Sequence, residues 1–313
     1  MSNSIVTITL SPCIDKSTTV DKFIPEKKLK CSYPILEAGG GGINVSRALK
    51  NFDTHSTCIY ISGGYTGKIL NSLVHHERID AVPIPSNLFT RENFIVFENQ
   101  THLQFRFGMP VNAVSDGEWK QVMANLKKGP SKFIVLSGSI SPKISTQFFK
   151  LLSTHIKKTG AKFVVDTAGV PLKHILKTGA YLIKPNQNEF SGLFGTKQLN
   201  VKEIVSRANK MIKEGKIENI LVSLGKDGAV LINKESATQF IPPKLKVKST
   251  VGAGDSMVAG IVYLLDKGKV IEEAVKFGIA CGSATSINSG MQLCTLAGAK
   301  KLLSSVKVKK LKR

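Results

Sequence analysis

The stretch Ser249-Thr250-Val251-Gly252-Ala253-Gly254-Asp255-Ser256 runs directly into the apolar segment Met257-Val258-Ala259-Gly260-Ile261-Val262. A Gly-Ala-Gly turn at the start of a helix collects backbone N–H groups at one point, and the helix dipole adds positive potential there. Gly252, Ala253 and Gly254 therefore form a candidate anion site. Asp255 sits on its rim, where a carboxylate would repel a bound phosphate unless it had a task. One such task is to take the proton from an attacking hydroxyl while the amides hold a phosphoryl group in flight. Capping the helix is the alternative.

Other residues could work beside this turn. Glu37-Ala38-Gly39-Gly40-Gly41-Gly42-Ile43-Asn44 is a four-glycine turn entering a helix. Four missing side chains would let a ligand touch backbone, with Gly40 at the turn and Asn44 both donating to and accepting from sugar hydroxyls. Gly63-Gly64-Tyr65-Thr66-Gly67 resembles it, and neither turn fits a Walker or a dinucleotide fingerprint. Asn186 and Glu189, three apart after Lys184-Pro185, can reach one hydrated Mg²⁺ or form a capping box. Asp15 follows the first strand, where it can meet polyol hydroxyls or cap. Lys28, Lys30, Arg91 and Arg106 lie in or beside β segments, placed to meet a substrate phosphate or to stand as ordinary surface cations.

The elements that must position these residues are legible from about residue 130 onward. Phe133–Leu136, Phe163–Val165, Tyr181–Ile183 and Ile220–Val222 are short, continuous apolar runs, each ending in polar or glycine-rich residues. Helical periods such as Ser145–Lys158 and Val201–Glu214 lie between them. This alternation predicts a parallel sheet covered on both faces, with ligands beyond the carboxyl ends of its strands. The first third differs. Residues 16–36 and 92–109 read as a small antiparallel sheet, with a hairpin from Phe94–Phe97 to Leu103–Phe107, projecting as a lid that excludes water or as a subunit contact. The 313 residues are expected to form one domain with that appendage.

Composition excludes several classes. The five cysteines are scattered without a CxxC, which fits reduced thiols in a cytoplasmic protein. The histidines show no metal-binding spacing, and His75-His76 reads as surface. The first residues lack the basic start of a signal peptide, and no apolar stretch approaches membrane-spanning length. There are 44 Lys+Arg against 22 Asp+Glu, a net charge of +22. The lysines are spread along the chain without interleaved aromatics, so a solvated basic surface is expected, not a nucleic-acid interface. The densest cluster is the tail Lys307, Lys309, Lys310, Lys312 and Arg313.

In order, Asp15, Gly39–Gly42 with Asn44, Ser137-Gly138-Ser139, Lys184-Pro185-Asn186-x-x-Glu189, Ser223-Leu224-Gly225-Lys226-x-Gly228 and Gly252-Ala253-Gly254-Asp255 span nearly the whole chain. Together they resemble the ribokinase-like (phosphofructokinase B) family of sugar kinases, and within it the B-type 6-phosphofructokinase branch. The resemblance implies a doubly wound α/β fold, a mostly parallel sheet with helices on both faces and a small β-sheet lid. It implies ATP-dependent phosphorylation of fructose 6-phosphate at the 1-hydroxyl, with Asp255 as base and the Gly252–Gly254 amides stabilising the phosphoryl. Asn186 and Glu189 would organise Mg²⁺, largely through water. Asp15, Gly40 and Asn44 would hold sugar hydroxyls, and Lys28, Lys30, Arg91, Arg106 and Ser139 are candidates for the substrate's phosphate. Lys184, Ser223, Gly225 and Gly228 would contact nucleotide. Ser249, Val251, Asn288 and Gly290 would supply oxygens to a monovalent cation such as K⁺, and the lids of two subunits would meet in a homodimer. Gln292 and Thr285 depart from the family's usual Arg and Ala near that cation site, and Ser139-Ile140-Ser141-Pro142-Lys143 lacks its usual Pro-Pro-Gly. Tagatose-6-phosphate kinase and 1-phosphofructokinase remain as alternatives, as does a basic binding or scaffold protein on the same fold.

Overall fold

The computed structural model describes residues 4–288, 290 and 292–312. The chain begins β1 (Ile5–Thr9), β2 (Cys13–Val20), β3 (Ile35–Gly39), α1 (Gly41–Lys50), β4 (Thr57–Gly63), α2 (Gly64–His76), β5 (Asp80–Ser86), β6 (Arg91–Glu98) and β7 (Gln104–Phe107). It continues through α3 (Asp116–Leu126), β8 (Phe133–Ser137), α4 (Thr146–Thr159), β9 (Lys162–Asp166), α5 (Gly169–Thr178), β10 (Ala180–Ile183), α6 (Gln187–Gly192) and α7 (Val201–Lys213). It ends with β11 (Ile217–Ser223), β12 (Ala229–Asn233), β13 (Ala237–Ile241), α8 (Ala253–Asp266), α9 (Ile271–Ser286), α10 (Leu296–Leu303) and β14 (Lys307–Lys310).

Ten strands form the main sheet in the order β14-β13-β12-β11-β10-β9-β8-β1-β4-β5. Pairings from β5 through β11 are parallel and the last three are antiparallel. The apolar runs are continuous because each strand is covered twice. Alternate side chains of β8 enter opposite cores: Ile134 and Leu136 meet α3, α4, α5 and α7, while Phe133 and Val135 meet α1, α8, α9 and α10. Each buried aliphatic side chain contributes about 1.5–3 kcal/mol, so these two cores hold the frame on which the site rests. Among the described residues no helix is long and apolar enough to cross a membrane, and all five cysteines are free. The basic tail has a structural place: Lys307, Lys309 and Lys310 lie on β14, the exposed edge strand, where lysines discourage edge-to-edge pairing. Arg313 of that cluster lies outside the described residues.

The small sheet has the order β3-β2-β6-β7. The expected hairpin is present, with Phe94 opposite Phe107 and Ile95 opposite Arg106. The sheet is mixed, however, and not antiparallel throughout: its central pair, β2 and β6, runs parallel. The reason is connection. β6 arrives after a long crossover through α1, β4, α2 and β5, which permits parallel pairing, whereas β7 returns by a short turn. Residues 21–34 between β2 and β3 are irregular apart from a bridge between Val20 and Cys31.

Candidate active site

Asp255 lies in the first turn of α8, whose N-cap Gly252 has a φ of 72°. A side chain at Gly252 would be strained there and would also strike Leu293. Because α8 starts at Ala253, the N–H groups of its first turn lack intrahelical acceptors and face the turn. One Asp255 oxygen accepts from Asn44 Nδ2 at 2.9 Å. The amide's orientation is set from behind: Asn44 Oδ1 accepts from Arg47 Nη1 at 3.3 Å, leaving only N–H groups to face Asp255. Arg47 is in turn clamped by Glu77 at 2.9 Å, Glu37 at 3.5 Å and the Ala38 carbonyl. A buried relay thus joins β3 and the end of α2 to the carboxylate.

Burial pushes the Asp255 carboxyl up to about 6, with the Asp166 and Asp15 charges adding and the Asn44 hydrogen bond and Lys184 opposing. That places it where a carboxylate is ionised at neutral pH yet basic enough to accept a proton. Lys184, expected at the nucleotide, is buried and paired with Asp166 at 3.0 Å. Its ammonium is 3.4 Å from the place a Cβ on Gly254 would take, so it lies against the anion turn. Burial alone would lower the Lys184 pKa, yet the Asp166, Asp255 and Glu189 charges hold it above the ordinary value.

Asn186 and Glu189 form the capping box: Asn186 Oδ1 accepts from the Glu189 N–H and Glu189 Oε2 from the Asn186 N–H, at 2.9 and 2.8 Å. The two readings of this pair are compatible, because each carboxylate oxygen has a further lone pair and Mg²⁺ keeps much of its water. The donor set beside the turn fits a hydrated divalent ion accompanying a phosphate: the Asp166 and Glu189 carboxylates both act on Lys184, which lies against that turn.

Asp15 is not at the end of β1, as its sequence position suggests. It lies within β2, opposite Glu37 and Asn93, and accepts from Asn93 Nδ2 at 2.9 Å. The small sheet, not the main one, therefore carries it to the cleft. Arg91 donates to Asn93 Oδ1 and to the carbonyls of Met109 and Ser11, while its Nε is buried without a partner. Ser139 is exposed just beyond β8, and Lys28 and Lys30, on the irregular 21–34 segment, are also open to solvent.

The glycines of the first turn are required by packing. A Cβ at Gly39 would fall 2.2 Å from Asp15, one at Gly41 2.2 Å from Ser137, and one at Gly42 2.5 Å from Thr9, and Gly40 has a φ of 120°. Close approach of the turn and α1 to β1, β2 and β8 is thus a second demand on these glycines, beside the expected access to a ligand. Near the expected nucleotide residues, Ser223 pairs with Asn186. Gly225 has a φ of 61° in open space, whereas a side chain at Gly228 would collide with the Phe240 carbonyl. A cavity of about 260 Å³ adjoins them, lined by Gln187, Val201, Leu224, Asp227, Gln239 and Ile241. At the expected cation site, Ser249 Oγ accepts from the Val251 N–H, the Lys248 N–H donates to the Ser286 carbonyl, and Asn288 Nδ2 donates to the Gln292 carbonyl. Gly290 follows with a φ of 65°. Thr285, the departure from Ala, donates to Ser256 at 2.7 Å.

Three residues of the cluster had no role assigned from sequence. Asp166 ends β9 as an acid at the carboxyl end of a parallel strand, a signal that was present. Arg47 stands three residues after Asn44 on one helix, a spacing that brings side chains together. Asn93 has no local signal, because only the β2–β6 register brings it to Asp15.

The profile of the pfkB family carbohydrate kinases matches residues 3–297. The chain belongs to this family. It is 36% identical over 293 residues to the ATP-dependent 6-phosphofructokinase isozyme 2 of Escherichia coli, covering 93% of this chain and 95% of that one. It is 33% identical over 306 residues to a 1-phosphofructokinase of Borreliella burgdorferi, covering 97% and 98%. The crystal structure of Escherichia coli phosphofructokinase-2 in complex with potassium superposes with a TM-score of 0.91 at 34% identity, covering 97% of this chain and 99% of that one. The sheet order and the position of the small sheet are thus those of a pfkB kinase.

Proposed function

We propose that this pfkB kinase is an ATP-dependent 6-phosphofructokinase, transferring the γ-phosphoryl of ATP to the 1-hydroxyl of fructose 6-phosphate. The observation that carries the reading is Asp255: a buried carboxyl raised to about 6, hydrogen-bonded to Asn44 and set on the first turn of α8 beside the anion turn. Asp15 and Asn44 hold the sugar so that its 1-hydroxyl faces Asp255. Asp255 accepts the hydroxyl proton as the oxygen attacks phosphorus, and the Gly252–Gly254 turn receives the charge on the equatorial oxygens. Mg²⁺ bound with ATP would supply charge neutralisation. Asn186, Glu189 and Asp166 would hold its water shell, and Lys184 adds a fixed positive charge beside Gly254. Ser223, Gly225 and Gly228 shape the nucleotide side. The oxygens of Ser249, Val251, Asn288 and Gly290 suit K⁺, a reading supported by the potassium complex of the Escherichia coli relative.

Arg91, Arg106 and Ser139 are the groups of this chain suited to the substrate's 6-phosphate. Lys28 and Lys30 would reach it only from a neighbouring subunit, with the small sheets as the meeting surface. Phe94, Phe105 and Phe107, exposed on the small sheet, support that contact. The protein is expected to run as a dimer by light scattering. A monomer at assay concentration that turns over normally would remove Lys28 and Lys30 from the site.

ADP release with ATP and Mg²⁺ over fructose 6-phosphate, tagatose 6-phosphate, fructose 1-phosphate, fructose and ribose tests the assignment. The expected result is the highest kcat/KM with fructose 6-phosphate. Preference for fructose 1-phosphate or tagatose 6-phosphate would keep the mechanism and move the substrate. No turnover with any sugar would sink the kinase reading in favour of a basic binding protein.

A further inference from the structure

Arg106 stands on β7, the outer strand of the small sheet, and its Nη2 donates to Thr250 Oγ1 at 3.2 Å. Thr250 lies two residues before the N-cap of the helix that carries Asp255. The bond spans 144 residues of chain and crosses the mouth of the cleft, from the sheet that carries Asp15 to the turn expected to hold a phosphoryl group. Arg106 does not reach across unaided. Gln104, two residues earlier on the same face of β7, accepts from Arg106 Nε and Nη2 through one oxygen, at 3.1 and 2.9 Å. That acceptor fixes the plane of the guanidinium and aims its edge at the turn. An arginine left free on an edge strand would sample many rotamers, and that freedom would have to be lost when a ligand arrives. Burial lowers the Arg106 pKa and the Asp15 charge raises it.

We propose that Gln104, Arg106 and Thr250 form a latch that docks the small sheet on the catalytic turn, with Gln104 as the positioning residue. Thr250 offers one neutral acceptor. A phosphate oxygen at the turn offers a charged acceptor to the remaining N–H groups of the guanidinium, on Nη1. The latch thus holds the small sheet close while the anionic substrate is bound, and keeps the guanidinium aimed at it. This deepens the kinase reading and rests on it for the kinetic part only, because hydrogen exchange at β7 reads the contact without turnover.

The test compares Gln104→Leu, Gln104→Glu, Thr250→Val and Gln104→Leu/Thr250→Val. Hydrogen–deuterium exchange over residues 104–107 is measured without ligand, and kcat and KM for the phosphosugar with ATP. Gln104→Leu and Thr250→Val are each expected to speed exchange at β7 and to lower kcat/KM by about five- to tenfold, the scale of one ordinary intramolecular hydrogen bond. The double variant should be no worse than the poorer single one, since both break one device. Gln104→Glu keeps the acceptor and should return within about twofold of the parent protein, a rescue that a role in folding β7 alone would not give. Parent-like exchange and kinetics in Gln104→Leu, or additive losses in the double variant, would overturn the latch. If the parent protein turns over no sugar, the kinase reading fails, and the exchange experiment still decides the latch.

Discussion

Asp255→Asn is expected to lower kcat by roughly 10²–10⁴-fold and, at pH 7–8, to make the folded protein more stable. The rate loss follows from removing the group that accepts the hydroxyl proton. Asn is isosteric and can still accept from Asn44, so KM values should move little. The stability gain follows from linkage. Burial raises the carboxyl from 3.8 to about 6 in the folded state, so folding favours the protonated form. Below about pH 4 the group is protonated folded or unfolded and costs nothing. The cost grows from there to about pH 6 and is fully present above it. Asn carries no such cost, so its advantage should appear above about pH 6 and fade toward about pH 4. An upper bound is about 3 kcal/mol at about 1.36 kcal/mol per unit, with the attraction to Lys184 already inside that shift. Urea unfolding at about pH 4, 6 and 8 beside kcat measurement checks both halves. A variant with near-parental kcat would remove Asp255 from the chemistry, whatever its stability.

Lys184→Met should destabilise the protein by about 2–4 kcal/mol and lower kcat by roughly 10²–10³-fold. Met fills the space but leaves Asp166 facing Asp255 without the cation between them. The pair's contribution is present at neutral pH. Because Lys184 is held above its ordinary value, it is lost only as pH rises past the ordinary lysine range and through that raised value. The variant also carries a signature beyond lower activity. Lys184 opposes the rise of the Asp255 carboxyl, so its removal should shift the acidic limb of kcat/KM to higher pH than in the parent protein. Protonated Asp255 cannot take the hydroxyl proton, so the rate falls on the acid side. The comparison cancels the titration of the substrates' own phosphates. An unshifted limb would mean that Lys184 does not act on Asp255.

The second half of the fold was legible because its strands are covered on both faces. Phe133–Leu136 or Ile220–Val222 leaves little choice but a parallel strand, and the polar residues after each run mark where the site lies. The small sheet was harder. Its strands are half exposed and its central pairing is made between β2 and β6, which lie about 80 residues apart; alternation along one strand says nothing of that partner. The misplacement of Asp15 has the same origin. Of the site, Asp255, Asn44, Asn186 and Glu189 could be named because each sits at a helix start, where local spacing carries meaning. The Asp166–Lys184 pair and the Asn93–Asp15 contact depend on neighbouring strands, and no local pattern encodes them. The glycines are legible as necessary, but one reason for them is not: Asp15, Ser137 and Thr9 fill the space that Cβ atoms would take, and only the fold brings those neighbours there.

The place of β1 bears on how the protein is born. It lies between β4 and β8, so one edge finds its partner within about 50 residues of synthesis and the other waits until β8 begins at Phe133. At about 5–20 residues per second, a ribosome leaves that second edge unpaired for roughly 6–25 s. Ile5 and Ile8, which end fully enclosed, stand on that strand throughout the wait. A strand that ends in the interior of the sheet, third from its β5 edge, thus spends that time open to capture by a chaperone or by another chain.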